Sequence, residues 1–180
     1  MSNARIAPVE PPFSEPVRTA LDRIMPEGVP PLTLFRTLAV NERVFLRTMA
    51  GGLLDRGSIA LRDREIVILR TCARLGSEYE WGVHVTFFGG KAKLSPEDTA
   101  ATRAPLTEES PFNARERLLV RVVDALVDTS EISDALFEEL CREWSREQLV
   151  EIVALTGFYH VIAFTTNAFR IPLEPFAARF

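Results

Sequence analysis

Three polar side chains follow one another at helical spacing near the middle of the chain. Ser77, Glu80 and His84 stand at positions i, i+3 and i+7, which places them on one side of a helix. Trp81 and Phe88 flank them. Glu80 and His84 are one turn apart, so the carboxylate can orient the imidazole as a general base. The spacing predicts a catalytic pair in an aromatic surrounding, although an exposed ion pair would have the same spacing.

A second candidate acid, Glu65, lies on the preceding helical segment. At 100° per residue it falls between Leu69 and Cys72, in the middle of the apolar side. A carboxylate in that position loses hydration, so its proton affinity rises unless a cation compensates. The tight connection at Gly76 makes the two segments an antiparallel pair, and we expect Glu65 to approach His84 across it. The alternative is a structural glutamate paired with an arginine.

The other polar residues of the Glu65 segment share a different side. Asp63, Arg70 and Arg74 fall within one narrow arc. This arc predicts the solvent-facing side of the helix.

The two cysteines do not form a recognisable motif. Cys72 and Cys141 are far apart in the sequence and show no CxxC spacing, which excludes a disulfide scaffold and argues against a cysteine metal site. Each lies in an apolar helical stretch, so we expect both to be small buried residues.

The last apolar segment carries the other histidine. His160 follows Tyr159, and both are candidates for the binding site. His84 and His160 could share a metal with Glu65 or Glu80, but no HExxH or similar motif supports a metal site. We therefore predict no metal, and a packed core residue is the commoner role for His160.

Helical periodicity dominates and strand patterns are scarce, which predicts an all-α protein of about seven to eight helices. The core is an antiparallel helical hairpin over about 62–88. Helix starts and ends are marked by capping residues, prolines and glycines. The expected helical segments are 14–25, 33–54 with a possible break near Asn41, 62–75, 77–88, a short one from Ser95, 113–128, 133–144 and 146–170.

Composition bounds the architecture and the partners. The chain has 180 residues, a net charge of −4 and 47% hydrophobic residues, which fits one folded domain. We expect an extended arm over 1–13, a single helical domain over 14–175 and a tail over 176–180, whose Phe176 and Phe180 suggest subunit contacts. The sequence pattern shows no basic face, no leader-like segment and no apolar run long enough to span a membrane. We therefore expect a cytoplasmic protein without nucleic-acid or membrane partners.

Two stretches resemble a known family. They resemble carboxymuconolactone decarboxylase-like proteins of the alkylhydroperoxidase D (AhpD)-like superfamily. The first stretch is the run Leu61–Arg70 followed by Glu-Tyr-Glu-Trp-Gly-Val-His at 78–84, and the second comprises 157–160 and 167–174 near the end. The resemblance covers roughly Arg62 to Glu174. It implies an all-helical, homo-oligomeric protein, a trimer or hexamer, with a dimer as the alternative.

The sequence departs from the peroxidase branch of that superfamily at the nucleophile. The branch uses Cys-x-x-Cys-x-x-x-His with an upstream glutamate, and the matching positions here are Ser77, Glu80 and His84, with Glu65 upstream. A thiol peroxidase needs a thiolate and a resolving thiol, which serine and glutamate cannot replace. A peroxiredoxin-type activity is therefore a disfavoured alternative, although family-level labels carry that term.

The decarboxylase branch implies a cofactor-free lyase of aromatic catabolism. Its reaction removes carbon dioxide from a small carboxylated lactone or cyclic acid. On this hypothesis Glu65, Glu80 and His84 are catalytic, and Arg62 binds the substrate carboxylate. Ser77, Trp81, Phe88, Tyr159 and His160 complete the predicted binding site. The third hypothesis is a non-enzymatic oligomeric binding protein in which Glu65 is structural.

Overall fold

The structure is a computed structural model that describes residues 4–53 and 55–180. Within these ranges it contains nine α-helices, one π-helical segment and no strand, which confirms the all-α prediction. The helices are α1 (Glu15–Ile24), α2 (Thr33–Leu38), α3 (Glu42–Ala50), α4 (Leu61–Arg74), α5 (Glu78–His84), α6 (Pro96–Ala101), α7 (Ala114–Thr129), α8 (Asp134–Glu143) and α9 (Arg146–Ala168), with the π segment at Val85–Gly89.

The helix count exceeds the predicted seven to eight because the second segment divides. Helix α2 ends at Leu38, and Asn41 caps α3 by accepting a hydrogen bond from the backbone N–H of Val44. The predicted end of this segment at Leu54 and residues 1–3 of the predicted arm lie outside the described residues.

Helix α4 lies at the centre of the core. It packs against α5, α7 and α9, and Ile66, Val67, Ile68 and Leu69 are fully buried in succession. A run of four buried residues cannot occur on a helix that packs on one side only. The helix therefore has no solvent-facing side over most of its length.

The predicted solvent-facing arc on α4 is consequently wrong. Asp63 and Arg70 are each only 3% exposed, and α7 provides their partners. Arg115 donates to Asp63 at 2.6 Å, and Arg70 grips both oxygens of Asp124 at 2.7 and 2.8 Å. Periodicity separates polar from apolar residues, but it does not show that the polar side packs against a second charged helix.

The hairpin that carries the predicted chemistry is formed by α4 and α5. Gly76 makes the connection with a φ of +65°, in the left-handed region that favours glycine. Helix α5 continues directly into the π segment, so the backbone changes its hydrogen-bonding pattern immediately after His84. Such π-helical insertions are frequent at functional sites.

Helix α9 crosses the same core. Ser145 caps it in a capping box with Gln148. By length and composition alone α9 could cross a membrane, with 44% of its most apolar window buried inside the protein. Leu155, Thr156 and Tyr159 face the core, as in the central helix of a soluble protein.

Both ends of the chain are fastened to this core. In the N-terminal arm, the backbone N–H of Arg5 donates to the carbonyl of Phe169. The backbone N–H of Val9 donates to the carbonyl of Arg36. At the other end, Phe180 packs edge-on against Trp81 with ring centroids 5.3 Å apart. The tail rings, which the sequence suggested for subunit contacts, thus have partners within the chain.

Candidate active site

The carboxylate of Glu65 lies at the bottom of the α4–α5 hairpin, with no exposed surface. Its Oε1 accepts hydrogen bonds from Nε and Nη2 of Arg64 at 3.1 and 3.0 Å. Its Oε2 lies 2.7 Å from Nδ1 of His84. The predicted burial of Glu65 and its approach to His84 are both observed. Both carboxylate oxygens are engaged, which is how a buried charge is tolerated.

His84 joins four side chains, Glu65, Glu80, Phe88 and Tyr159, from four helical elements. Its Nε2 lies 2.9 Å from the hydroxyl of Tyr159 and 3.4 Å from Oε1 of Glu80. Phe88, on the π segment, stacks against the imidazole with ring centroids 5.0 Å apart. His84 itself is 2% exposed. The ring is therefore held at both nitrogens and across one face.

The charges around His84 set its protonation state. Burial disfavours the imidazolium, but the carboxylates of Glu65 and Glu80 outweigh that effect and raise the pKa of His84 from 6.5 to about 9. At neutral pH the ring is thus an imidazolium.

Glu80 is the member of the site with an unused acceptor. One oxygen faces His84, while Oε2 is buried and has no hydrogen-bond partner among the described residues. Glu80 is 7% exposed, against 0% for Glu65. An unsatisfied buried carboxylate oxygen costs free energy and calls for an explanation. It marks the position where a proton or a ligand donor would be stabilised.

Tyr159 brings α9 into the site. Burial, with the nearby carboxylates of Glu80 and Glu65, raises the pKa of its phenol well above the ordinary value. The phenol therefore keeps its proton. When His84 is an imidazolium, Nε2–H donates to the phenolic oxygen, and the phenolic O–H is free to donate elsewhere.

Two predicted site residues lie beside the site in structural roles. Ser77 is fully buried, and its hydroxyl lies 2.8 Å from that of Thr166 on α9. Trp81 donates from Nε1 to the hydroxyl of Thr102 at 2.9 Å. Both side chains bind neighbouring helical segments, and neither contacts His84.

Arg62 does not occupy the position predicted for a substrate anchor. Its Nε donates to Glu116 at 2.6 Å, and its Nη1 donates to Asp98 at 3.0 Å and to the carbonyl of Lys93 at 2.7 Å. These contacts bind α4 to α6 and α7. The guanidinium is occupied by these contacts, and the structure does not bring Arg62 together with Glu65 and His84.

His160 points away from His84. Its Nδ1 lies 2.9 Å from the carbonyl of Thr156 on its own helix, and its ring contacts Phe164. Over residues 4–53 and 55–180, no three histidine, cysteine or acidic side chains converge in an arrangement that could hold a metal ion.

The thiols occupy different surroundings. Cys72 is fully buried, and burial together with Glu80 and Glu65 raises the pKa of its thiol well above the ordinary value. Cys141 on α8 is exposed, so the prediction that both cysteines are buried is wrong for this one. A thiol held protonated is a poor nucleophile.

Two surface clefts lie apart from this site. The larger, of about 580 Å³, is lined by Arg70, Arg74, Arg103 and Arg121 together with loop 104–106, Asp124 and Leu136. The smaller lies beside Pro26–Pro31, with no residue of the acid–base group in its wall. Among the described residues, the buried group brings a histidine together with two carboxylates and a phenol.

Arg64 is the member of the buried group that sequence reasoning did not name. It is 8% exposed and supplies the cation that neutralises Glu65. Its position next to Glu65 in the sequence was the available signal. Adjacent residues normally diverge by 100° on a helix, so only the structure shows that this long side chain folds back.

No family model and no curated protein sequence matches the chain. Solved structures do match. A peroxidase-related protein from Silicibacter sp. TM1040 has a TM-score of 0.82 at 14% identity, over 97% of this chain and 94% of that one. A peroxidase-related protein from Ralstonia eutropha JMP134, described as an alkylhydroperoxidase AhpD core, has a TM-score of 0.84 at 18% identity, over 96% and 93%.

A third neighbour is an enzyme with a ligand. A variant of the debrominase Bmp8, solved in complex with 2,3,4-tribromopyrrole, has a TM-score of 0.72 at 17% identity, over 96% of this chain and 93% of that one. These neighbours cover almost the whole length of the chain. The all-helical architecture that surrounds Glu65, Glu80 and His84 is therefore the AhpD-like fold.

Proposed function

We propose that this protein is a cofactor-free acid–base enzyme that decarboxylates a small carboxylated lactone or cyclic acid. The observation that carries the proposal is the buried group in which the His84 imidazolium lies 2.7 Å from Glu65 and 3.4 Å from a second carboxylate, Glu80, with one oxygen unused. A proton donor and a proton acceptor at one point are what general acid–base catalysis requires.

The reaction consumes one proton, which ends on a carbon of the product. The bond between the substrate ring and its carboxylate breaks, carbon dioxide leaves, and the electron pair remains on the ring as an enolate. A carbon of that enolate takes a proton from His84, directly or through the Tyr159 hydroxyl. Solvent then reprotonates His84, and Glu65 holds the ring in place throughout.

The position of Lys91 supports a carboxylated substrate. Its ammonium lies 5.5 Å from the centroid of the Phe88 ring, which itself covers His84. Lys91 makes no ion pair with any described residue and is exposed. In this proposal Lys91 binds the substrate carboxylate, the role that the sequence analysis gave to Arg62. Its ammonium is suited to that role because it is a cation without an ion-pair partner, next to the Phe88 ring that covers the imidazole.

The debrominase neighbour supports a small cyclic ligand. That protein was solved with a brominated pyrrole, a flat ring of similar size to a lactone. The aromatic wall formed by Phe88 and Tyr159 beside His84 suits such a ring. We propose, on the same grounds, a role in the catabolism of aromatic compounds in the cytoplasm.

Turnover of carboxymuconolactone by purified variants tests the proposal. We expect His84→Ala and Glu80→Gln each to lower kcat by about 10²-fold or more, and Lys91→Ala to raise KM with a smaller change in kcat. His160→Ala is the matched control, since it removes the other histidine outside the group, and should retain wild-type turnover. Equal turnover by wild type and His84→Ala would contradict the assignment.

The two other hypotheses have weaker support. A thiol peroxidase needs a reactive thiolate, and the buried Cys72 is held as a protonated thiol. A purely structural Glu65–His84 pair would explain the ion pair, but not the buried Glu80 oxygen without a partner. If His84→Ala and Glu80→Gln lose stability and no tested lactone is turned over by the wild type, the non-enzymatic binding hypothesis is favoured.

A further inference from the structure

Four arginines line the larger surface cleft, which has a volume of about 580 Å³. Arg70 and Arg74 belong to α4, Arg121 belongs to α7, and Arg103 lies in the loop that follows α6. The wall contains one carboxylate, that of Asp124. Four guanidinium groups against one carboxylate give the wall a net charge of +3, in a chain whose net charge is −4. We call this cavity the arginine cleft, and it is a local concentration of positive charge on an acidic protein.

Arg70 and Arg74 share one carboxylate oxygen. Nε of Arg70 lies 2.7 Å and Nη1 of Arg74 lies 2.8 Å from Oδ1 of Asp124. Two guanidinium groups that contact the same atom are close neighbours, so their positive potentials add. Asp128, the other partner of Arg74, is 55% exposed and is not part of the wall. Within the wall itself, one carboxylate therefore faces two cations.

The loop that carries Arg103 is held in place from below. Nη1 of the buried Arg70 donates to the carbonyl of Thr102 at 3.1 Å and to that of Ala104 at 2.6 Å. These two residues stand on either side of Arg103 in the sequence. The hydroxyl of Thr102 also accepts a hydrogen bond from Nε1 of Trp81. A binding group on a fixed loop has little backbone freedom to lose when a ligand arrives, so the loop is preorganised.

The guanidinium of Arg103 keeps its hydrogen-bond donors available. Its central carbon lies 5.2 Å from the ring centroid of Trp81 and 5.5 Å from that of Phe180. It makes no hydrogen bond and no ion pair with any residue in 4–53 or 55–180. Contacts with aromatic rings use the charge of a guanidinium but none of its five N–H donors. An arginine held in this way is well suited to the recognition of a phosphate group.

Arg121 offers further donors on the α7 side of the cleft. It pairs with both oxygens of Glu139 at 2.6 and 2.9 Å, and the two side chains are 42% and 38% exposed. An ion pair that is exposed to this extent contributes little to stability. A ligand with two negative charges can therefore replace Glu139 as the partner of Arg121 at small cost.

We propose that the arginine cleft binds a phosphate monoester whose phosphate contacts Arg103 and Arg121. The three terminal oxygens of a phosphate accept hydrogen bonds from several directions, whereas a carboxylate offers two oxygens in one plane. Cations that belong to separate elements of the fold, a loop and a helix, therefore favour a phosphate.

The rest of the cleft suits the organic part of such a ligand. Pro105, Leu106 and Leu136 provide apolar surface in the same wall. The volume of the cleft lies within the range of small-molecule binding sites. None of the residues that line it belongs to the group around His84, so the proposal is independent of the proposed reaction.

Isothermal titration calorimetry of the full chain with phenyl phosphate is the first test. At about pH 8 and low ionic strength the phosphate is a dianion, since its second pKa is about 6. We expect a dissociation constant on the order of 0.1–1 mM, as a few charge-assisted hydrogen bonds in an open cleft would give. Benzenesulfonate is a monoanion of similar shape and should bind about tenfold more weakly, because it carries half the charge.

Two variants with matched controls identify the contacts. Arg103→Gln should raise the dissociation constant for phenyl phosphate about tenfold or more, through the loss of charge-assisted hydrogen bonds. Arg43→Gln removes the same charge from an exposed position on α3 and should leave the affinity unchanged. Glu139→Gln should lower the dissociation constant about threefold, because Arg121 loses its competing carboxylate. Glu143→Gln, at the exposed end of the same helix, should have no such effect.

NMR of the tryptophan indole N–H groups locates the bound ligand. Of the two tryptophans, Trp81 lies under Arg103, whereas Trp144 lies under Arg115 away from the cleft. Phenyl phosphate should shift the Trp81 signal in proportion to occupancy, and the Trp144 signal is the internal reference. Tighter binding by Glu139→Gln together with this shift could not arise from a variant that had merely lost stability.

The contrary outcomes are specific. Absence of binding at about 10 mM phenyl phosphate overturns the proposal, as does the same affinity in Arg103→Gln and Arg43→Gln. Benzenesulfonate binding as tightly as phenyl phosphate would show that the cleft does not recognise a dianion. Tighter binding of citrate than of phenyl phosphate would assign the arginine cleft to polycarboxylates and would overturn the phosphate class. An unchanged affinity in Glu139→Gln would contradict the contact with Arg121.

Discussion

The Glu65 carboxylate binds His84 through Oε2 and Arg64 through Oε1, so one fully buried anion holds two cations in place. The histidine end of this arrangement extends to Tyr159 and Glu80. At the other end, Nε and Nη2 of Arg64 hold the carboxylate in place. This division makes Glu65 a positioning residue whose removal should be visible in the titration of His84.

Replacing Glu65 with glutamine should lower the pKa of His84 below its wild-type value of about 9. The carboxylate that stabilises the imidazolium is lost, while burial of the ring still disfavours the charged form. Two-dimensional NMR of histidine ring signals against pH measures the change, and His160 is the internal reference. An unchanged His84 titration would show that Glu65 does not control the ring. The free energy of unfolding should also fall, by about 3 kcal/mol, since one partner of a buried pair is removed.

The stability of the wild-type protein should fall as the pH rises from 6.5 to above 9. The folded-state pKa of His84 is raised from 6.5 to about 9, so the folded state holds a proton that the unfolded state has released within this window. Protonation of His84 contributes about 3 kcal/mol to the free energy of unfolding. This contribution is complete below pH 6.5 and is lost above pH 9. Urea unfolding at a series of pH values measures it. His84→Asn should flatten the curve in this window, and a wild-type curve that is already flat there would contradict the raised pKa.

Gly82→Ala should detach the C-terminal tail. A Cβ at Gly82 would overlap the carbonyl oxygen of Ala178, a backbone atom that cannot rotate away. We expect a loss of about 1–3 kcal/mol, a change in Trp81 fluorescence as Phe180 leaves its ring, and faster removal of Phe180 by a carboxypeptidase. Gly90→Ala is the matched control, because a Cβ there meets nothing within 4 Å. Equal behaviour of the two variants would show that the tail does not depend on the Gly82 contact.

The ion pairs between α4 and α7 should differ sharply in strength. Asp124→Ala leaves Arg70, only 3% exposed, without its bidentate partner, and should cost about 3 kcal/mol. Asp128→Ala removes a half-exposed partner of Arg74 from the same helix and should cost less than about 1 kcal/mol. Guanidinium unfolding of both variants compares them. Similar losses would mean that burial does not determine the strength of these pairs.

The two thiols should react at very different rates. Cys141 is exposed and should be alkylated within minutes at neutral pH, whereas Cys72 is buried with a raised pKa and should react only after unfolding. Mass spectrometry of the folded and unfolded protein counts the labels, with one adduct expected in the first case and two in the second. Oxidation of Cys72 by mild peroxide in the folded state would reopen the thiol peroxidase hypothesis.

The sequence by itself determined the helices, most of their starts and the α4–α5 hairpin, because these depend on local rules. Ser95, Asn113 and Ser145 cap the helices that they were predicted to cap. It also placed Glu65 among apolar residues and Glu80 one turn from His84, since both follow from helical period alone. The all-α class was predictable for the same reason, whereas the AhpD-like fold was expected from the resemblance to a known family.

Only the tertiary structure decided which charges meet. In the structure Arg64 neutralises Glu65, and Arg62 is engaged by Glu116 and Asp98. Tyr159, rather than His160, contacts His84. Periodicity gives the side of a helix on which a residue lies, but not what that side packs against. A charged side chain takes the nearest compensating partner when it is buried, and that partner is set by how α6, α7 and α9 pack around α4.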